Sequence, residues 1–201
     1  MISTQPQKTL ERILLAAGTL FIQKSYADVT TAAIAAEAGL TKGALYHHFA
    51  SKQELYRALL HDYLDHKRLL FQEAINTVAP ARERLRRLTD AYLRLPRNER
   101  DFMGLVRRDV NVLPTTERAA LVKAYQSALP EQVASVLSDA MAAGEIQETD
   151  PRLLSWHYVA LVEVCLSEYA DQLFPTPALR TEHVLNLFFH GAAAGPEALN
   201  P

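Results

Sequence analysis

Residues Thr30–Lys52 read TTAAIAAEAGLTKGALYHHFASK, and the fold turns on how they pack. Ile34, Ala35 and Ala38 fall on one face of a short helix, and Gly39 supplies the positive-φ residue that a tight turn between helices needs. Leu40 plugs the corner. Thr41 stands where an N-cap belongs, and Lys42 to Phe49 form a second helix whose Leu45 and Phe49, four apart, face the first. Left outward are Thr41, Lys42, Gly43, Ala44, Tyr46, His47 and part of His48. That face offers hydroxyls, a cation, imidazoles and a phenol, beside two residues small enough to let backbone approach a base edge or phosphate. A DNA-binding helix-turn-helix is one reading; an αα-hairpin inside a helical bundle is the plain alternative, because Ala and Gly at this spacing are common.

Working outward toward the N-terminus, Leu10, Ile13, Leu14, Ala17, Leu20 and Phe21 recur every three or four residues from Lys8 to Lys24, which predicts a helix with one buried stripe. It would close a three-helix unit. Ser25 to Asp28 connect it to Thr30 or Thr31, either of which can cap the next helix. Downstream, Ser51 with Glu54 at the capping-box position starts a long helix to about Thr77. Further helices are expected over 81–95, 99–113 and from Thr116 to Gly144, the last kinked or split by Pro130. The stretch Leu153 to Phe174 is apolar almost all round, and Pro177 to about Ala193 continues the theme. Such helices need cover on every side, and a second copy of the chain would supply it. Pairing them with symmetry mates predicts a four-helix dimer interface through Val162, Leu166, Tyr169, Leu185, Phe188 and Phe189.

The composition is that of a globular protein: 201 residues, 49% hydrophobic and 22% charged. The N-terminus lacks a signal-peptide layout and no charge-free apolar run approaches the roughly 20 residues of a membrane span. With a single cysteine, Cys165, no intrachain disulfide forms, so a cytoplasmic protein away from membranes is expected. Net charge is −2, yet residues 1–52 hold five Lys or Arg against three Asp or Glu, leaving +2 on that module. Few phosphates can be neutralised per subunit, so pairing two modules becomes a requirement.

Thr30-Thr31, Ile34-Ala35, the run Ala38-Gly39-Leu40-Thr41-Lys42-Gly43-Ala44-Leu45-Tyr46-His47-His48-Phe49, Ser51-Lys52 and Glu54-Leu55 resemble the N-terminal signature of the TetR family of one-component transcriptional regulators. The resemblance covers the first quarter of the chain. It implies that Thr30 or Thr31, Tyr46 and Lys52 hold phosphates of a double-stranded operator, and that Thr41, Lys42, Ala44, Tyr46 and His47 face base edges, with Gly43 between them. The resulting expectation is an all-α homodimeric regulator, a repressor released by a small lipophilic or aromatic effector. Its helix-turn-helix domain would span 1–50, its effector-binding and dimerisation domain 51–195, and a tail 196–201. The alternative is a helical ligand-binding or scaffold protein with a vestigial helix-turn-helix.

Residues expected to line an effector pocket are Tyr63, Phe102, Arg107, Tyr125, Trp156 and Glu163; Arg107 would favour an anion and Glu163 a cation. The arginines between Arg82 and Arg94 read as a solvated face. His61, Asp62, Asp65 and His66 lack the accompanying pattern of a metal site, and Cys165 reads as a buried thiol. No GxSxG, P-loop or GxGxxG motif occurs, so neither an enzyme nor a cofactor is expected.

Overall fold

The computed structural model describes residues 5–109, 111 and 113–190, with side chains throughout these except at 5, 6, 101, 103, 107, 109 and 116. The expected ends at Ala193 and in the 196–201 tail lie outside the described residues. Among the described residues the chain forms eleven helices and no strand. It divides into two compact units that do not follow chain order: Met1–His66 with Pro96–Tyr125, and Lys67–Leu95 with Gln126–Pro201.

In the first unit, α1 (Gln5–Gln23), α2 (Thr31–Glu37) and α3 (Lys42–His48) precede α4 (Lys52–Ile75). Ile13, Ala17 and Phe21 of α1 are buried with Val29, Ile34, Ala35, Leu45 and Phe49. Burial of this apolar stripe is what holds helices of seven residues, far too short to persist alone. Thr30 takes the cap of α2, its hydroxyl accepting from the Ala33 N–H at 3.1 Å, so Thr31 is the first helical residue. At the start of α4 the Glu54 N–H donates to Ser51 Oγ, while the Glu54 carboxylate accepts from the Ala50 N–H rather than that of Ser51. This is the expected capping box, shifted by one residue. α1 packs on α2 and also on α6 (Arg97–Asp109), which brings Phe102, Leu105 and Val106 into the same core.

The second unit takes the end of α4, α5 (Ala81–Leu93), and the chain beyond Tyr125. Pro130 splits the expected long helix into α7 (Thr115–Ala128) and α8 (Pro130–Ala142), with Leu129 driven out of the helical region at φ −133° and ψ −57° because it precedes the proline. Gly144 ends α8 at φ 71°. α8 packs on α9 (Pro151–Val164), and α11 (Pro177–His190) on α5 and α9. Tyr158, fully buried, anchors this packing: its hydroxyl meets Thr89 Oγ1 at 2.5 Å and donates to the Leu85 carbonyl, and its ring meets Phe188 edge-on. Burial holds that phenol well above its ordinary pKa.

Leu153 to Phe174 is not one helix. α9 ends at Val164, and α10 (Glu168–Leu173) begins afresh after Ser167. Ser167 Oγ donates to the Val164 carbonyl and accepts from the Ala170 N–H, so a local side-chain bond competes with the helix and wins. The apolar composition masks this break, because periodicity registers what is buried and not where a hydroxyl caps.

The arginines of α5 and its flank meet acids. Arg84 pairs with Asp139, Arg82 with Glu182, Arg94 with Asp90, and Arg86 and Arg87 both with Glu83. Hydrogen bonds from Arg86, then Arg87, hold the Glu83 carboxyl down at about 2. Because the folded pKa lies below the unfolded one, the resulting stability is present above about 4.3 and is lost as pH falls through about 2. Carboxyl NMR should place the Glu83 midpoint near 2, and in Glu83→Gln the stability lost between pH 4.5 and 2 should be smaller than in the wild type. A midpoint near 4.3 would rule out both contacts.

Candidate nucleic-acid interface

Four features fix the outward face of α3. Thr41 caps it, its hydroxyl accepting from the Ala44 N–H at 3.1 Å. Gly39, at φ 64°, makes the turn from α2. Leu45, fully buried, and Phe49, nearly so, anchor the inner face; Phe49 itself is the cap residue after the helix rather than part of it. Thr41, Lys42, Gly43, Tyr46 and His47 are all exposed, and Ala44 is half-buried. A side chain at Gly43 would meet nothing nearer than 3.9 Å, so the fold itself does not demand glycine there.

Tyr46, 44% exposed, spends part of its polarity within the protein: its hydroxyl lies 3.3 Å from Thr31 Oγ1, and Lys42 Nζ sits 5.7 Å from its ring centre. The three side chains form one polar patch joining α2 and α3. His47 meets the neighbouring His48 ring edge-on. Lys52 behaves differently from a free surface cation. Its ammonium donates to the Tyr26 and Val29 carbonyls at 2.8 and 2.9 Å and stands 4.3 Å from the centre of the Tyr26 ring. It ties the connection after α1 to the first turn of α4 and leaves one N–H for anything else.

Two residues of this unit escaped the sequence reading. Arg12 Nη2 donates to the Ala38 carbonyl at 2.5 Å. Arg108 Nη2 of α6 donates to the Phe21 carbonyl at 3.1 Å and reaches the Lys24 carbonyl at 3.4 Å, both at the end of α1. Separations of 26 and 87 residues put such pairs beyond any local pattern.

The residues expected around an effector divide between the units. Tyr63 and Phe102 stack with centroids 3.7 Å apart, and Tyr125, buried, belongs to the same unit. Trp156 and Glu163, half-buried and seven apart on α9, belong to the other. The side chain of Arg107 lies outside the described residues. The second unit carries two open clefts. One of about 980 Å³ is lined by the end of α4, residues 76–78, Arg84 and α8; another of about 1060 Å³ is lined by Arg82, residues 144–149 and the end of α11. None of the five expected residues whose side chains are described lines either.

Of the residues expected at a dimer interface, Val162 and Leu185 are fully buried within the subunit and have no surface to give a partner. Leu166, Phe188 and Phe189 are half-buried and Tyr169 is 69% exposed. The larger apolar exposures nearby are Val164, also at 69%, and Leu173. Cys165 is buried as expected, and burial raises its thiol pKa against the opposing charge of Arg180. His66 pairs with Asp62 one turn back on α4. Among the described residues no group of three or more His, Cys, Asp or Glu comes together as a metal site would require, and no helix is long and apolar enough to cross a membrane.

Comparison with known proteins places these features in a family. Residues 13–59 match the model for bacterial regulatory proteins of the tetR family, and residues 78–165 the tetracyclin repressor-like C-terminal domain. The transcriptional activator FasR of Mycolicibacterium smegmatis is 29% identical over 63% of this chain, which spans 58% of FasR's length. The fold is that of the regulator PfmR of Thermus thermophilus, with a TM-score of 0.76 and 24% identity over 91% of this chain and 100% of that one. It is equally that of FadR of Bacillus subtilis, solved with stearoyl-CoA, with a TM-score of 0.76 and 18% identity over 91% and 99% of the two chains. Two matched segments in chain order, a capped third helix behind a positive-φ glycine and an all-helical second unit lead to one conclusion: the chain belongs to the TetR family of bacterial regulatory proteins.

Proposed function

We propose that this protein is a DNA-binding transcriptional regulator that grips a pseudo-palindromic operator as a homodimer and is released by a small lipophilic effector. The observation that carries the reading is the outward face of α3, where Lys42, Tyr46 and His47 are exposed on a helix whose inner face is anchored by Leu45. Residues 1–50 act as the DNA-binding domain and 51–195 as the effector and dimerisation domain. Thr30, Thr31, Tyr46 and the remaining N–H of Lys52 hold phosphates; Thr41, Lys42, Ala44, Tyr46 and His47 face base edges, and Gly43 lets the backbone come close. Two recognition helices on a two-fold axis read half-sites about 34–36 Å apart. With +2 on each module, sequence contacts and pairing carry the affinity. The protein works in the cytoplasm, where the chromosome is.

An acyl chain suits the effector role. Tyr63 and Phe102 form a stacked aromatic pair with buried Tyr125 in the same unit, and a protein of the same fold, FadR of Bacillus subtilis, was solved with stearoyl-CoA. An effector that fits only one spacing of the recognition helices weakens DNA binding by the ratio of its affinities for the two states.

The test is fluorescence anisotropy on a duplex enriched by the wild-type protein from a random library, at fixed salt. Lys42→Ala and Tyr46→Ala should each lower the affinity about tenfold. Unchanged affinity in both would remove α3 from the interface. Stearoyl-CoA added to the wild-type complex should release the duplex; failure of both stearoyl-CoA and free stearate to do so, or to raise the melting temperature, would sink the acyl-chain reading while leaving DNA binding intact.

A further inference from the structure

The turn before α3 is closed almost entirely by its own backbone. The Gly39 N–H donates to the Ala36 carbonyl at 3.0 Å and the Leu40 N–H to the Ala35 carbonyl at 2.8 Å, the bond pair that a positive-φ residue allows at a helix end. The Ala38 carbonyl lies beyond both bonds, at the negative end of the α2 dipole. Arg12 fills that place: its Nη2 donates to this oxygen at 2.5 Å, and the same nitrogen lies 3.0 Å from where a Cβ on Gly39 would be. A cation from α1 therefore sits against the residue on which the chain turns into the recognition helix.

We infer that Arg12 is a positioning residue for sequence reading, fixing the angle of α3 by clamping the Ala38–Gly39 peptide to α1. The inference rests on the DNA-binding reading above. α3 has only seven residues and two large anchors, Leu45 at its centre and Phe49 just past its far end. Its near end, where Thr41 and Lys42 lie, is held by the turn. With the clamp released the near end gains freedom to swing while the core stays packed. Base-edge hydrogen bonds tolerate a misplacement of only about 0.5 Å, whereas phosphate contacts made through long-range charge tolerate far more. The loss should therefore appear in discrimination between sequences and not in general affinity for DNA. Arg12 is exposed on α1, so its removal opens no cavity.

The full chain carrying Arg12→Gln or Arg12→Met is compared with wild type, each first matched for helical circular dichroism. Anisotropy is read on the library-enriched duplex and on a scrambled duplex of equal length at the same salt. The enriched duplex should lose about tenfold in affinity and the scrambled one no more than about twofold, so that the ratio between them falls at least about fivefold. Arg12→Lys, which keeps both the charge and a donor within reach of the carbonyl, should recover most of that ratio. A residue that merely stabilises the fold would lower the melting temperature with the ratio unchanged, and that result, or equal losses on both duplexes, would overturn the inference. Failure of the wild type to enrich any sequence would instead overturn the DNA-binding reading, and this inference with it.

Discussion

Leu45→Ala is expected to abolish operator binding at 37 °C, through the fold and not through any lost contact with DNA. Leu45 is fully buried at the centre of α3 and is the only residue of that helix buried to this degree. Its truncation removes apolar burial and leaves a cavity, together costing about 2–5 kcal/mol. A domain's whole stability is only about 5–15 kcal/mol, and helices of seven residues persist solely by packing, so the local cost at α3 approaches what holds it. Hydrogen exchange should show protection lost in α2 and α3 before the second unit, and operator affinity should fall more than about a hundredfold. A variant that keeps its wild-type melting temperature and its protection in α3 would mean that Leu45 is not the anchor described here.

Replacing both Val164 and Tyr169 by glutamate should leave the subunit folded and split the proposed dimer. Both side chains are 69% exposed in the subunit, at the end of α9 and within α10, so the new charges cost little in an isolated chain. Against a second copy they would bury carboxylates without partners, which costs several kcal/mol each. Sedimentation at micromolar concentration should give a monomer. Operator affinity should fall about 10²- to 10⁴-fold, because the second half-site would no longer be bound intramolecularly. Unchanged circular dichroism with a surviving dimer would move the interface elsewhere. Truncating Val162 or Leu185 would not make this test, because both are fully buried in the subunit and their loss would damage the fold itself.

The helix-turn-helix was legible because its turn, its cap and its facing apolar pair are local. Gly39 at positive φ, Thr41 as cap, and Leu45 with Ile34 and Ala35 on facing sides all act within a dozen residues. The split at Pro130 was legible for the same reason, since a proline removes a donor and restricts the residue before it. The break at Ser167 was not, although it too is local. A serine offers its hydroxyl to a cap or to solvent with nearly equal ease, and the surrounding apolar run obscured the choice.

Of the interface, the sequence by itself determined which residues stand on the outer face of α3, because helical period and two buried anchors leave no other face for Lys42, Gly43, Tyr46 and His47. Only the tertiary structure decided what holds that face still. Arg12 on the Ala38 carbonyl, Lys52 on the Tyr26 and Val29 carbonyls and Arg108 on the end of α1 join residues 23 to 87 positions apart. Tertiary packing also decided that 96–125 belongs with the N-terminal helices and that Val162 and Leu185 face inward. A cation's partner and an apolar residue's cover depend on which chain segments meet, and periodicity along one segment carries no record of that meeting.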